Sequence, residues 1–97
     1  MSEYLFRPKA RTDVENIWDY SSKTWGISQA RRYMEAIRDA CKWLSTNPEL
    51  GNARNELYPG LRVYPSGKHL IFYLIVENGI DIVRILHERM DSTLHLP

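Results

Sequence analysis

The chain has 97 residues, which is enough for one small domain covering residues 1–97. Hydrophobic residues make up 43% and charged residues 26%, an ordinary globular composition that argues against a disordered chain. The formal net charge of +1 excludes a strongly basic protein and gives no sign of nucleic-acid binding, although a local basic cluster is still allowed.

The chain begins with a short strand and a first helix. Tyr4–Arg7 is the strand candidate, and it ends at Pro8, a residue favoured in the first turn of a helix. From Ala10 to Trp25 the apolar residues recur along one face of a 3.6-residue helix, and Gly26 suits its end. The polar residues expected to face mainly outward are Arg11, Asp13, Glu15, Asn16 and Asp19.

A second helix follows at once. Ser28 is its predicted N-cap, and its apolar stripe runs through residues 30–44. Asn47-Pro48 stops it, because the residue before a proline is disfavoured in a helix. The link of about two residues, Gly26-Ile27, predicts that the helices fold back as an antiparallel hairpin.

The centre of the chain predicts a loop and two strands. Pro, Gly and Asn recur through residues 47–59, which is typical of a loop. Leu61–Tyr64 follows as a short strand, and Pro65–Lys68 is a turn. His69–Val76 is almost unbroken apolar sequence, rich in β-branched and aromatic residues, which predicts a central strand buried on both faces.

The last third predicts a hairpin and a short polar tail. Asn78-Gly79 is the strongest hairpin signal, because both central residues of a type I′ turn need φ > 0. Ile80–His87 is the returning strand, and Asp91–Pro97 has room for a single helical turn. The order β-α-α-β-β-β predicts an α+β fold, in which the helix hairpin covers one face of an antiparallel β-sheet.

Strand alternation assigns side chains to two faces of this sheet, although neither outer strand is cleanly amphipathic. In the last strand, one face is expected to carry Asp81, Val83, Ile85 and His87, and the other face is expected to carry Ile82, Arg84 and Leu86. In the short strand, Arg62 and Tyr64 are expected on one face and Leu61 and Val63 on the other. Arg62, Arg84 and Arg89 are expected to form a positive patch on the face that the helices leave open.

Two of these polar residues have a structural interpretation beside a functional one. Arg84, flanked by Ile and Leu, either belongs to the patch or pairs with a carboxylate such as Glu88 or Asp91. His87 is either a hydrogen-bonded residue at a strand end or a functional imidazole. The sequence contains no phosphate-binding glycine loop, no HExxH, no metal-spaced Cys/His cluster and no GxSxG motif.

The tryptophans and the cysteine are also ambiguous. Trp18 and Trp25 lie on the helical stripe and are interpreted as packing residues, whereas Trp43 lies off it and favours a partner contact. Cys41 is the only cysteine, so it forms no internal disulfide and is expected to be a small buried hydrophobe in a reducing compartment. Without a visible signal peptide or an apolar run of about 18 residues, a cytoplasmic location is expected.

Several segments together carry a resemblance to a known family. In chain order they are Asp13–Tyr20, Trp25-Gly26, Asn47–Gly51, Pro59–Arg62, Gly67–Tyr73 and Arg84–Asp91. Over nearly the whole length they resemble the ParE toxins of the RelE/ParE superfamily, the toxic halves of bacterial type II toxin–antitoxin pairs. The resemblance implies the same fold, an antiparallel sheet packed on a helix hairpin.

The superfamily is divided by activity. ParE-like members poison DNA gyrase by trapping its cleaved DNA complex, and RelE-like members are ribosome-dependent mRNA endonucleases. His69 stands where the nucleases usually carry Arg, and Gly60 where they often carry Lys, so the resemblance favours a gyrase inhibitor without chemistry of its own. The alternative is a ribosome-dependent endonuclease that uses Arg62, His69, Arg89 and His87 or His95.

The resemblance also implies site residues and partners. The residues expected to contact gyrase or its DNA are Arg62, Tyr64, His69, Arg84, His87, Arg89 and Met90, with Asp91 as a structural partner. A cognate ParD-like antitoxin is expected to fold its disordered C-terminal segment onto the toxin in a hetero-oligomer. Its candidate anchors are Tyr20, Trp25, Tyr33 and Trp43. No catalytic residue, metal, cofactor or membrane partner is implied. In a third hypothesis, a detoxified module binds only the antitoxin or itself.

Overall fold

Two long helices form the predicted hairpin in the computed structural model, which describes residues 2–96. Helix α1 spans Pro8–Trp25 and helix α2 spans Ile27–Thr46. Gly26 alone separates them, at φ +91°, a left-handed conformation that glycine adopts without a steric cost. The N-cap of α2 is therefore Gly26, and the predicted N-cap Ser28 lies inside the helix. Within residues 2–96, none of the helices is long and apolar enough to cross a membrane.

Each helix buries one stripe of side chains, with the periodicity that the sequence predicts. The buried residues are Ala10, Ile17 and Ser21 on α1 and Ala30, Ile37, Cys41, Leu44 and Ser45 on α2. Cys41 is fully buried as predicted, and this burial raises the pKa of its thiol to about 12. The two stripes pack on one face of the sheet and form the larger hydrophobic core.

Among the described residues, five strands form one sheet in the order β1-β5-β4-β3-β2. Their bounds are Glu3–Phe6 (β1), Asn52–Ala53 (β2), Arg62–Ser66 (β3), His69–Val76 (β4) and Gly79–His87 (β5). The β3-β4-β5 meander is antiparallel as predicted, whereas β1 lies parallel to β5 at one edge of the sheet. The α+β class and the helix hairpin are confirmed, but the sheet is mixed because the chain passes through both helices between β1 and β5. The predicted terminal turn is a short helix α3, Ser92–His95.

The turn between β4 and β5 differs from the prediction. It consists of Glu77 and Asn78, and no residue other than glycine has a positive φ within residues 2–96. The predicted type I′ turn at Asn78-Gly79 is therefore wrong. Gly79 begins β5 instead, where a Cβ atom would collide with the backbone of Glu3. The glycine is required by the close approach of β1 and not by the turn.

The β5 strand contains a β-bulge, because Val83 is one extra residue relative to its partner strand β4. A bulge shifts the alternation of side chains by one position. Ile82 and Ile85 therefore both face the helices, and Val83 and Leu86 both face away from them. The predicted grouping of Val83 with Ile85 is wrong for this reason. The predicted alternation in β3, in contrast, is confirmed.

The sheet face away from the helices carries a second hydrophobic core. Its buried residues are Leu61, Val63, Phe72, Val83 and Leu86. Leu57, from the loop before β3, and Leu96, after α3, pack against this cluster. The expected open face bearing arginines is therefore wrong at its centre. Apolar side chains occupy the centre of this face, and the packing of Leu57 and Leu96 against them reduces their contact with water.

Candidate functional site

A groove of about 400 Å³ opens between α1 and the end of the sheet at which β4 begins and β5 ends. This aromatic groove is lined by Asp13, Asn16, Ile17, Tyr20, Ser21, Trp25, Lys68, His69, Ile85, His87 and Met90. It includes five of the predicted contact residues, taken from both the gyrase set and the antitoxin set. Helix α1 supplies one wall, and the sheet with the segments next to its strands supplies the other, so only the folded chain brings the two sets together.

A continuous series of edge-to-face ring contacts runs along the groove. Ring centroids are 6.4 Å apart between Tyr20 and Trp25, and 5.4 Å apart between Trp25 and Tyr33. The series continues from Tyr33 to His69 at 5.5 Å and from His69 to His87 at 5.3 Å. The two histidines meet because they are cross-strand partners in β4 and β5. This aromatic series connects α1 to strands β4 and β5 through Tyr33 of α2.

The Tyr33 hydroxyl holds the β3–β4 turn in place. It accepts a hydrogen bond from the Lys68 backbone N–H at 3.0 Å, and it lies 2.5 Å from Nδ1 of His69. Burial raises the pKa of Tyr33. Burial also lowers the pKa of His69, and the charge of His87 lowers it further. In the neutral ring with its proton on Nε2, Nδ1 of His69 accepts from the Tyr33 hydroxyl.

His87 positions the residues that follow β5. Its Nδ1 accepts a hydrogen bond from the Arg89 N–H at 3.1 Å, and its carbonyl accepts from the Met90 N–H at 2.9 Å. This turn leaves Arg89 exposed and places Met90 at the groove with 47% of its surface accessible. The structure thus confirms a hydrogen-bonded strand-end histidine, and it also places that histidine in the groove wall.

Arg84 is held by an internal ion pair. Its Nε and Nη2 donate to the two carboxylate oxygens of Asp13 at 2.7 and 2.8 Å, and its Nη1 donates to the carbonyl of His95 at 2.7 Å. The same carboxylate accepts from the Ile85 N–H at 2.9 Å, beside the bulge. The pairing was predicted but its partner was wrong: it is Asp13, and not Glu88 or Asp91. The hydrogen bonds that Arg84 donates to Asp13 raise the pKa of Arg84.

Sequence reasoning missed Asp13, which was expected to face outward. A signal was present, because Asp13 lies three residues after Ala10 and four before Ile17, on the buried stripe of α1. Asp91, expected beside Arg84, caps α3 instead by accepting from the Thr93 N–H at 3.0 Å. The hydrogen bond from the Thr93 hydroxyl, followed by that from the Thr93 N–H, lowers the pKa of Asp91.

The remaining predicted residues lie outside the groove. Arg62 donates through Nη2 to the carbonyl of Glu49 at 3.3 Å, and Tyr64 packs against the helix-side core. Arg62 is four positions along β3 from Ser66, the partner of His69, or about 13 Å at the usual strand rise. Trp43 is 56% exposed on α2, away from the groove lining. The three arginines therefore do not form one patch.

No cluster of three or more His, Cys, Asp or Glu residues suited to a metal ion occurs in the described part of the chain, residues 2–96. The groove instead combines an apolar floor, from Ile17 and Ile85, with aromatic and imidazole walls. Such a surface is suited to an amphipathic protein segment, whose apolar side chains it can remove from water.

Comparisons with known proteins identify close relatives of this chain. A family model described as "ParE toxin of type II toxin-antitoxin system, parDE" matches residues 4–92. The chain is 41% identical over 96 residues to Toxin ParE1 of Mycobacterium tuberculosis (strain ATCC 25618 / H37Rv), covering 98% of both proteins. It is 32% identical over 98 residues to Toxin ParE of Escherichia coli, covering 99% of this chain and 94% of that one.

A solved structure shares the fold. It is described as "Chromosomal ParDE TA system from P. aeruginosa" and superposes with a TM-score of 0.75 at 22% identity. The match covers 90% of this chain and 96% of the other. These findings confirm the resemblance and the fold class that the sequence predicts.

Proposed function

The chain belongs to the ParE toxin family of type II toxin–antitoxin systems, and we propose that it binds DNA gyrase, stabilises the cleaved gyrase–DNA complex, and is neutralised by a cognate antitoxin. The observation that carries this proposal is the match to proteins named ParE toxins over almost the whole chain. The structure supports a mode of action by binding, through the aromatic groove.

The groove has the chemistry of a protein-binding surface. Tyr20, Trp25 and Met90 expose 66%, 37% and 47% of their surfaces beside a buried apolar floor. Large aromatic and Met side chains in such positions are typical binding anchors. Lys68 adds positive charge to the groove lining, and the exposed Arg89 precedes Met90 in the chain; both favour a partner with acidic residues or a DNA backbone nearby.

The positions of the arginines favour binding over RNA cleavage. Cleavage of an RNA phosphodiester needs cationic groups converging on one phosphate. Here the Arg84 guanidinium is bound by Asp13, and Arg62 is bound at the carbonyl of Glu49, away from the histidine pair. The nuclease alternative requires Arg62 and His69 at one site, whereas their backbones are about 13 Å apart by strand geometry.

A plasmid cleavage assay tests the proposed target. Purified toxin, gyrase and supercoiled plasmid are incubated, and the DNA is analysed after protein denaturation. Linear plasmid should accumulate with the wild-type toxin. The Met90→Ala and Arg89→Ala variants should lower its yield several-fold, because Met90 lines the groove and Arg89 precedes it in the same exposed turn.

Arg62→Ala is the matched control, since it removes a similar cation from outside the groove and is expected to keep wild-type cleavage. A stronger effect of Arg62→Ala than of those two variants would contradict the assignment of the target surface to the groove. Codon-positioned cuts in mRNA on translating ribosomes, without plasmid cleavage, would contradict the gyrase proposal and favour the endonuclease.

We propose that the antitoxin covers the same groove. Its C-terminal segment would fold on binding, with apolar anchors against Tyr20 and Trp25, which extend from α1 beside the sheet. Tyr33 lies behind Trp25 and supports its ring rather than presenting a free surface. Truncating an anchor of this kind typically costs about 2 kcal/mol, or about thirtyfold in Kd.

Calorimetric titration with the antitoxin encoded beside the toxin gene checks this assignment. Trp25→Ala should weaken antitoxin binding about thirtyfold in Kd. Trp43→Ala removes an equally large side chain, 56% exposed on α2 but outside the groove, and should leave Kd almost unchanged. If Trp43→Ala weakens binding and Trp25→Ala does not, the antitoxin covers the outer face of α2 instead.

A further inference from the structure

In the part of the chain that the structure describes, strand β1 leaves one edge of the sheet without a partner strand. The N–H groups of Glu3 and Arg7 donate inward, to the carbonyls of Asn78 and Ile82 at 2.8 and 2.9 Å. Backbone groups alternate in direction along a strand, so the N–H and C=O groups of Tyr4 and Phe6 point to the open edge. Within residues 2–96 they have no backbone partner outside the strand ladder. This edge is able to accept another strand.

There is space beside this edge. An open groove of about 510 Å³ borders Ser2–Leu5 and is closed on its other side by Lys42, Ser45 and Thr46 of α2. An added strand would lie about 4.8 Å from β1. On the sheet face away from the helices, Leu5 is 62% exposed, so an added strand would bring a cross-strand neighbour against it.

The sequence Glu3-Tyr4-Leu5-Phe6-Arg7 is complementary to itself when reversed. In an antiparallel pairing centred on Leu5, Tyr4 lies opposite Phe6 of the second copy, and both present their free backbone groups to each other. Leu5 then lies opposite its own copy. Glu3 lies opposite Arg7 of the second copy, on the same face as Leu5, and this pair occurs twice by symmetry. Opposite charges and apolar side chains in cross-strand positions both stabilise a sheet.

We propose that two copies of this chain associate through their β1 edges, to form one continuous sheet about a two-fold axis at Leu5. The occupant is a second copy because the edge carries a charge of each sign at positions that a two-fold axis brings together. Natural edge strands usually carry charges that repel a like edge. Here the Glu3 and Arg7 charges would disfavour pairing with most strands but would attract the β1 edge of a second copy.

The association is expected to be weak. A contact made mainly by five residues from each copy falls below the interface of about 1,200 Å² that stable complexes bury, which suggests a Kd between about 10 μM and about 1 mM. Arg7 is already engaged with Asp81 only loosely, at 3.5 Å with 42% of its side chain exposed, so it is available to the second copy.

Charge reversal tests the register, with sedimentation velocity of the full-length chain as the measurement. The wild type should show reversible dimerisation as concentration rises. Glu3→Arg alone and Arg7→Glu alone should each weaken it about tenfold or more, because each variant places like charges opposite each other twice. An equimolar mixture of the two variants should form a heterodimer at least as well as the wild type, since every cross-strand pair is again of opposite sign.

Glu15→Arg and Lys9→Glu are matched controls, because they change the net charge equally at exposed positions of α1 outside the edge. Both should dimerise like the wild type, and thermal unfolding of all variants verifies that β1 stays folded. A wild type that remains monomeric up to about 1 mM would overturn the proposal. So would dimerisation that the charge reversals do not change, or two variants that fail to associate when mixed.

Discussion

Among single residues, Asp13 connects the helix layer to the sheet. Its carboxylate accepts from two nitrogens of Arg84 and from the Ile85 N–H, so it ties α1 to the bulged strand β5. The side chains of Asp13 and Arg84 are 11% and 15% exposed, which makes this pair much less hydrated than the Arg7–Asp81 pair. Removing one partner therefore leaves a charge that is both poorly solvated and unpaired.

We expect Asp13→Ala to lower the free energy of unfolding by about 3 kcal/mol, because the Arg84 guanidinium and the Ile85 N–H lose their partner. Asp81→Ala is the control: it breaks a surface pair at 3.5 Å and should cost less than about 1 kcal/mol. Urea denaturation of both variants measures the difference. Equal losses would mean that the Asp13–Arg84 pair contributes no more than a surface contact.

This expectation also affects how toxicity data are interpreted. If Arg84 belonged to the expected positive patch, Arg84→Ala would weaken toxicity by removing part of that patch. The structure gives a second cause, because that variant leaves the Asp13 carboxylate without its cation. Only a variant that loses toxicity while keeping its free energy of unfolding would support direct contact with the target.

The lowered pKa of His69 predicts that the stability of the folded chain depends on pH. Its pKa is below the ordinary value of 6.5, first because of burial and then because of His87, while Asp13 and Glu88 act in the opposite direction. The unfolded chain therefore binds a proton more readily than the folded chain. Stability is retained above the ordinary histidine pKa and falls as pH decreases below it.

Urea denaturation at about pH 7.5 and about pH 5.5 tests this dependence. The wild type should be less stable at the lower pH. His69→Gln has no titrating ring and should lose less stability between the two values, while its amide oxygen can still accept from Tyr33. The same pH dependence in both proteins would show that His69 does not contribute to it.

At the level of secondary-structure elements, β1 depends on a single glycine in β5. The backbone of Glu3 approaches Gly79 so closely that a Cβ atom there has no space. The same residue has φ +149°, a conformation that other residues rarely adopt. The dipeptide Asn78-Gly79 is typical of a tight turn, but its glycine is needed here so that the edge strand β1 can pack against β5.

Gly79→Ala should destabilise the protein by about 3 kcal/mol or more, because the new methyl group displaces β1. Gly26→Ala is the matched control. Gly26 also has a positive φ, +91°, but no atom lies within 4 Å of a Cβ built on it, so only backbone strain of about 2 kcal/mol is expected, without displacement of β1. Thermal unfolding compares the two, and hydrogen exchange of the β1 amides should increase only in Gly79→Ala.

At the level of the whole molecule, the aromatic groove lies where the helix layer and the sheet meet. Tyr20 and Trp25 come from α1, whereas His69, His87 and Met90 come from the sheet and the segment after it. Residues that the family resemblance assigns to two different partners therefore share one surface. If both proposals on function hold, the antitoxin and the target compete.

Competition predicts that the antitoxin abolishes plasmid cleavage in proportion to groove occupancy. A peptide of its C-terminal segment should suffice, because simple occlusion needs no other part of it. Trp25→Ala should raise the peptide concentration needed for half-inhibition about thirtyfold, in line with its weaker binding. If the antitoxin abolished cleavage while the peptide could still bind in the groove, the antitoxin would act from another site. That result would contradict shared occupancy.

The sequence alone determined the helix hairpin, the β3-β4-β5 meander, the buried Cys41 and the family, because local periodicity and ordered motifs are properties of neighbouring residues. The β-bulge at Val83, the parallel position of β1 and the partner of Arg84 were decided only by the tertiary structure. Each depends on residues that are distant in the chain, such as Asp13 and Arg84, and the periodicity of one element contains no information about the other. The groove likewise exists only once α1 packs beside the sheet, because neither layer alone encloses its volume.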